Sequence, residues 1–208
     1  MTEDLLATSR LLHEELLVVF ASSAPYPGDR FSVAMDACSI AIEHASAVLC
    51  LALAGLPTSA AALLRVQFEA VTRAMWFLYI ATDADVSLML GPLDADSQKV
   101  ASKLPSVTHM LRALETAGPA VAIRPLLQFK DISVGPMNSF VHSGLHPLQR
   151  QRQGFPRQLL DQLVRSSNGL ITMSGMLGAI LAGDASRVAE VKAIQARFYA
   201  VLPPLAPN

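Results

Sequence analysis

Arg65, Glu69 and Arg73 recur every four residues inside a stretch that is otherwise almost wholly apolar, and this pattern constrains the fold more than any other in the chain. Residues four apart lie along one side of an α-helix, and Trp76 continues the same line. Leu63, Leu64, Val66, Phe68, Val71, Met75, Phe77 and Leu78 fill nearly every other direction around it. A helix apolar on so many sides belongs at the centre of a helical bundle. Its charges must then be paired, because an isolated buried charge is very costly. Two arginines and one glutamate leave one positive charge over, which Glu43 or Asp36 on the preceding helix could neutralise, or a bound anion. On a solvated face the same spacing would be an ordinary i,i+4 ladder, worth a few tenths of a kcal/mol per pair.

The rest of the composition fits a bundle. The chain has 208 residues, of which 52% are hydrophobic and 16% charged, enough for a large core. So little charge also suggests apolar surface buried against a second copy or a partner. The net charge of −1 provides no global field toward nucleic acid or anionic lipid. Cys38 and Cys50, if they share a helix, stand roughly 18 Å apart, beyond disulfide reach. Two unpaired thiols point to a reducing compartment. The acidic start, Met1-Thr2-Glu3-Asp4, does not resemble a secretory signal, and a cytoplasmic location is expected. The uncharged run Ala45–Leu64 has the length of a membrane span, but Gly55-Leu56-Pro57-Thr58 cuts it in the order of a helix stop and a helix start. Ser166–Gly183 carries Asn168, glycines and hydroxyls. Both read as buried bundle helices, and no membrane partner is expected.

Periodicity predicts helices over Glu3–Ser22, Phe31–Ala54 and Thr58–Thr82, the last N-capped by Thr58. Gly91-Pro92, Pro105, Gly118-Pro119 and Pro125 break Asp83–Lys130 into several short helices. A short helix over Pro136–Ser143, a polar loop over Gly144–Pro156 and two helices over Arg157–Ala182 and Asp184–Leu202 complete the chain. No stretch shows strand alternation, and nothing marks an internal repeat or a linker. The expected architecture is one all-α domain over 1–208, a bundle of about five long helices plus several short ones.

Familiar catalytic signatures are missing. There is no glycine-rich phosphate loop, no nucleophile elbow and no Cys-x-x-Cys. His13-Glu14 opens like a zinc-protease motif, but Leu17 stands where the second histidine belongs. No glutamate is followed by a histidine three residues on, which excludes a di-iron bundle. No metal and no cofactor is expected. The remaining candidates are Asn138 and His142, one helical turn apart, with His146 following. His142 could serve as general acid or base and Asn138 could orient a substrate or the ring, or His142 could simply cap a helix. Between Asp131 and Asp161 no acidic residue occurs, while His142, His146, Arg150, Arg152 and Arg157 do. Such a basic stretch suits phosphate, RNA or an acidic partner, or is a solvated loop.

Leu64-Arg65-Val66-Gln67-Phe68-Glu69-Ala70 with Arg73 and Trp76 resembles the signature helix of an uncharacterised bacterial all-helical family. Asn138–Gly144 with Arg150 and Arg152 resembles that family's second block, and the resemblance spans about Phe31–Leu170. More distantly the chain resembles the HEPN group of helical bundles, many of which dimerise and cut RNA in toxin and phage-defence systems. That resemblance implies an up-and-down helical core. It also implies a motif of arginine, a polar residue and a histidine four to six residues after the arginine. Asn138 and His142 fit the last two positions, but Met137 occupies the arginine's place. Three readings follow from these observations. The first is a non-catalytic or degenerate HEPN-like homodimer that binds or regulates in bacterial stress or defence. The second is a metal-independent RNase or phosphate-handling enzyme using His142 with Arg65, Arg73 or Arg152. The third is a structural assembly partner. The expected binding residues are Arg65, Glu69, Arg73, Glu43, His146, Arg150 and Arg152.

Overall fold

The computed structural model describes residues 2–92, 99 and 104–204, without the side chains of residues 2, 3 and 132. Among them every regular element is helical. They are α1 (Thr2–Ala21), α2 (Asp29–Leu53), α3 (Pro57–Tyr79), α4 (Asp83–Met89), α5 (Val107–Ala117), α6 (Ala120–Val141), α7 (Leu145–Gln153), α8 (Arg157–Leu181) and α9 (Ala185–Arg197). A single 3-10 turn, Tyr199–Val201, follows. Any helix expected between 93 and 103 falls outside the described residues, Lys99 excepted.

α2 and α3 form an antiparallel hairpin, and its turn explains both helix ends. Gly55 adopts a left-handed φ of 71°, with its N–H donating to Ala52 O at 3.2 Å and that of Leu56 to Leu51 O at 2.8 Å. This is the Schellman arrangement, which satisfies the last carbonyls of α2. Pro57 then takes the first helical position, where a missing N–H costs nothing. The cap position is therefore Leu56 and not Thr58.

α8 is the other long core helix. Ser9 and His13 of α1 meet Asn168, and Gly175 and Gly178 meet Leu16 and Phe20, so α1 and α8 run parallel. A Cβ added at Gly178 would lie 2.6 Å from the Phe20 ring, which shows how closely the two helices approach. Gln67 pairs with Ser167, placing α3 alongside α8, and Met35 lies near Gly178. One contiguous apolar core joins all these helices, with Leu12, Leu16, Phe68, Ile171 and Leu177 sealed inside it. By length and composition α2 alone among the described helices could cross a membrane, yet Val33, Cys38, Ala41, Ala45, Val48 and Leu49 line its core side.

Two stretches differ from expectation. α6 is one continuous helix through Pro125 and Pro136, so the short helix expected at Pro136–Ser143 is its final part. Each proline removes one intrahelical hydrogen bond, and packing can hold a helix across that loss. Here Phe129, one turn after Pro125, stacks on Phe68 of α3 with ring centroids 5.0 Å apart. The expected loop Gly144–Pro156 contains α7. Its proline, Pro147, sits in the first turn, where the backbone N–H has no intrahelical partner, and it is buried. At the C-terminus Asp184 is an N-cap and not a helical residue, accepting from Ser186 N at 2.9 Å.

Candidate functional site

The polar stripe of α3 faces α6. Arg65 is the centre of the contact, with a side chain only 13% exposed. Its Nε donates to Asn138 Oδ1 at 2.8 Å. Its Nη1 lies 2.6 Å from Glu69 Oε1 one turn further along α3. That second contact is an ion pair without aligned hydrogen-bond geometry, since Nη1 has no hydrogen-bond acceptor. The guanidinium carbon stands 5.6 Å from the Phe68 ring centroid. Arg65 therefore ties α3 to the last turns of α6 through its hydrogen bond to Asn138, while Glu69 and Phe68 of α3 itself hold the guanidinium in place.

The remaining members of the stripe behave differently. Arg73 is half-buried and has no ion-pair partner among the described residues. Trp76 is buried and meets Phe77 edge-on. Glu43 lies exposed on α2 and pairs with neither arginine, and Asp36 is likewise exposed without a counter-charge. The excess positive charge of the stripe is thus not neutralised by α2.

Asn138 and His142 do lie one turn apart on α6, yet only Asn138 reaches the stripe. His142 closes the helix, its backbone N–H donating to Asn138 O at 3.2 Å. Its imidazole is exposed and makes no hydrogen bond with another described residue. Ser143 follows in the left-handed region at φ 51° and turns the chain into α7. Ser139 Oγ accepts from His146 N at 3.0 Å, and the His146 ring lies 6.2 Å from Phe140. Met137, one residue before Asn138, is buried. Arg150 and Arg152 occupy the last turn of α7, where cations are favoured by the helix dipole. Chemically, the corner between α6 and α7 offers two exposed imidazoles and two arginines without a carboxylate among them.

Sequence reasoning missed two polar clusters buried in the core. Gln67 Nε2 donates to Ser167 O at 3.1 Å, and Ser167 Oγ donates to Gln67 Oε1 at 2.8 Å. In the second, Asn168 Nδ2 donates to Ser9 Oγ at 2.7 Å and to Val201 O at 2.9 Å. This leaves Asn168 Oδ1 as the acceptor for His13 Nε2 at 3.1 Å, which fixes the proton on Nε2. Nδ1 of His13 then has no partner. Burial holds the imidazole well below its ordinary value, at about 4, against a smaller upward effect of the Asn168 hydrogen bond. Burial also pushes the Cys38 thiol far up, so this buried cysteine is inert, whereas Cys50 is exposed. Among the described residues no group of three or more His, Cys, Asp or Glu side chains could hold a metal ion. A cavity of about 460 Å³ lies elsewhere, between the start of α2 and α4, where Arg30 pairs with Asp83 at 2.8 Å.

Residues 38–204 match the model of a family of unknown function, DUF6988. That is most of the chain, which therefore belongs to this family. No curated protein and no solved structure matches it.

Proposed function

We propose that this DUF6988 member is a non-catalytic, HEPN-like binding component of a bacterial stress or defence system, acting in the cytoplasm as a homodimer. Its ligand is a phosphate-bearing chain such as RNA, held at the α6–α7 corner by His142, His146 and Arg150. The observation that carries the reading is the state of Asn138. Its carbonyl is committed to Arg65 at 2.8 Å, and the preceding residue, where a HEPN nuclease would carry arginine, is the buried Met137. A composite nuclease centre needs a cation beside the histidine, and Arg65 is already engaged with Glu69 and Asn138. What the corner keeps is positive charge without acids, which favours phosphate contacts over bond cleavage.

The alternative is a metal-independent RNase in which His142 is the acid/base and Arg73 or Arg152 holds the phosphate. Its support is that neither arginine is ion-paired among the described residues. Incubation with total RNA separates the two, comparing wild type with His142→Ala. The binding reading expects intact RNA in both, with fluorescence anisotropy showing salt-sensitive binding that Arg150→Glu abolishes. Cleavage by the wild type that is lost in His142→Ala would overturn it. Absence of any binding would leave the third reading, a structural assembly partner.

A further inference from the structure

The most apolar of the described helices is also under-covered. On α2, Asp36, Ile40, Glu43, Ala47, Cys50 and Ala54 follow one another at alternating spacings of four and three residues. Residues so spaced form a seam along one face of a helix. Here it faces outward. Asp36, Glu43, Cys50 and Ala54 are exposed, Ile40 is 50% exposed, and the flanking Leu53 is 56% exposed. The seam carries two carboxylates, and neither has a counter-charge among the described residues.

α7 presents a short seam of opposite charge. Leu145, Leu148 and Arg152 follow at three and four residues, so they share one face of that helix. Leu145 is 63% and Leu148 60% exposed, and Arg152 is exposed without an ion pair. Pro147, the buried residue of α7, lies away from that face. His146 and Arg150, four residues apart, lie roughly 150° around α7 from that seam, so the two surfaces are distinct.

We propose that the α2 seam is covered by α7 of a second copy of this chain. Laid antiparallel on α2, Leu145 and Leu148 pack against Cys50 and Ala47, and Arg152 meets Glu43 with its stem over Ile40. Charge decides among the occupants. A second α2 laid on the same seam would bring no cation to Asp36 or Glu43, and desolvating unpaired carboxylates is costly. α7 brings leucines and an arginine in the same spacing. Each copy offers one half of the contact on α2 and the other on α7, so a two-fold pair forms the contact twice and leaves neither seam open. This goes beyond binding at His142, His146 and Arg150 and does not depend on it.

Light scattering coupled to gel filtration of the full chain, from about 1 to 100 µM, tests the contact. Wild type is expected at twice the monomer mass. Glu43→Arg and Arg152→Glu, each with an unchanged far-ultraviolet spectrum, are each expected to weaken association at least about tenfold. Their combination restores the dimer by re-pairing the swapped charges. Ile40→Asp and Leu148→Asp are expected to be monomeric. A monomeric wild type across the range overturns the proposal. So does a dimer that both single reversals leave intact, or a double swap that fails to restore it. RNA anisotropy on the same samples keeps this result separate from the ligand reading, since Glu43→Arg removes no group from the His142, His146 and Arg150 surface.

Discussion

Lowering the pH from about 7.5 to about 5 is expected to cost the folded state about 2 kcal/mol through a single residue, His13. Its ring is buried, its Nε2 proton is held by Asn168 Oδ1, and Nδ1 faces no acceptor. A second proton on Nδ1 would place an unpartnered charge in the core. The unfolded chain takes that proton near 6.5, whereas the folded chain takes it only near 4. Between those values the unfolded state binds more protons, so stability is complete above about 6.5, falls as the pH drops, and levels off below about 4. The whole span is worth about 3 kcal/mol, and about 2 kcal/mol of it is gone at pH 5. Urea unfolding followed by circular dichroism at several pH values measures this. His13→Gln keeps an N–H for Asn168 but cannot titrate, so groups other than His13 contribute equally to both proteins. The gap between the two stability curves should close by about 2 kcal/mol on going to pH 5. Parallel curves for wild type and variant would refute the assignment of His13 as a buried neutral imidazole.

Other perturbations report on the remaining contacts. Arg65→Ala is expected to destabilise by about 1–2 kcal/mol in thermal unfolding, discounted for its partly exposed ion pair. A double-mutant cycle with Asn138→Ala should give a coupling of about 1 kcal/mol, and zero coupling would show that this contact does not tie α3 to α6. Ser167→Ala leaves Gln67 Oε1 unpaired in the core and is expected to cost about 1–3 kcal/mol by urea denaturation, an effect a surface serine would not show. Gly178→Ala forces a methyl to within 2.6 Å of the Phe20 ring and is expected to lower stability by about 1–3 kcal/mol. An unchanged melting temperature in that variant would mean that α1 and α8 do not pack this closely.

The long helices were legible because their periodicity is strong and their ends carry local chemistry. Gly55-Leu56-Pro57 announces both the stop of α2 and the start of α3, and the structure differs only in which residue caps. α6 was not legible, since a rule that reads each proline as a break sees Pro125 and Pro136 but not the Phe68–Phe129 stack between them. α7 was hidden by its polarity, its one buried side chain among nine residues being Pro147. In the site, the stripe and the Asn138 turn were both visible, but the bond joining them spans 73 residues, and no local pattern encodes it. His13 was recognised only as half of an absent zinc motif. Its position beside Leu12, Leu16 and Ser9 on the core face of α1 was the available signal.

That miss has a general cause with consequences for where activity should be sought. A polar residue on an apolar helix looks like a site in sequence, because its partner is remote and unseen. In this bundle, Gln67, Ser167, His13, Asn168 and Arg65 all find such partners, and each joins two helices that the apolar core alone would let slide. Groups that already hold the fold together are poorly placed to bind or turn over a ligand as well. The imbalance lies instead on the surface, in Asp36 and Glu43 of α2 and in His142, His146, Arg150 and Arg152 around α7, none ion-paired among the described residues. Exposed leucines beside unmatched surface charge are the features that the proposed α2–α7 contact uses. The proposed binding therefore rests on α2 and α7, and Arg65 of the α3 stripe serves to hold α6, and with it the neighbouring α7, in place.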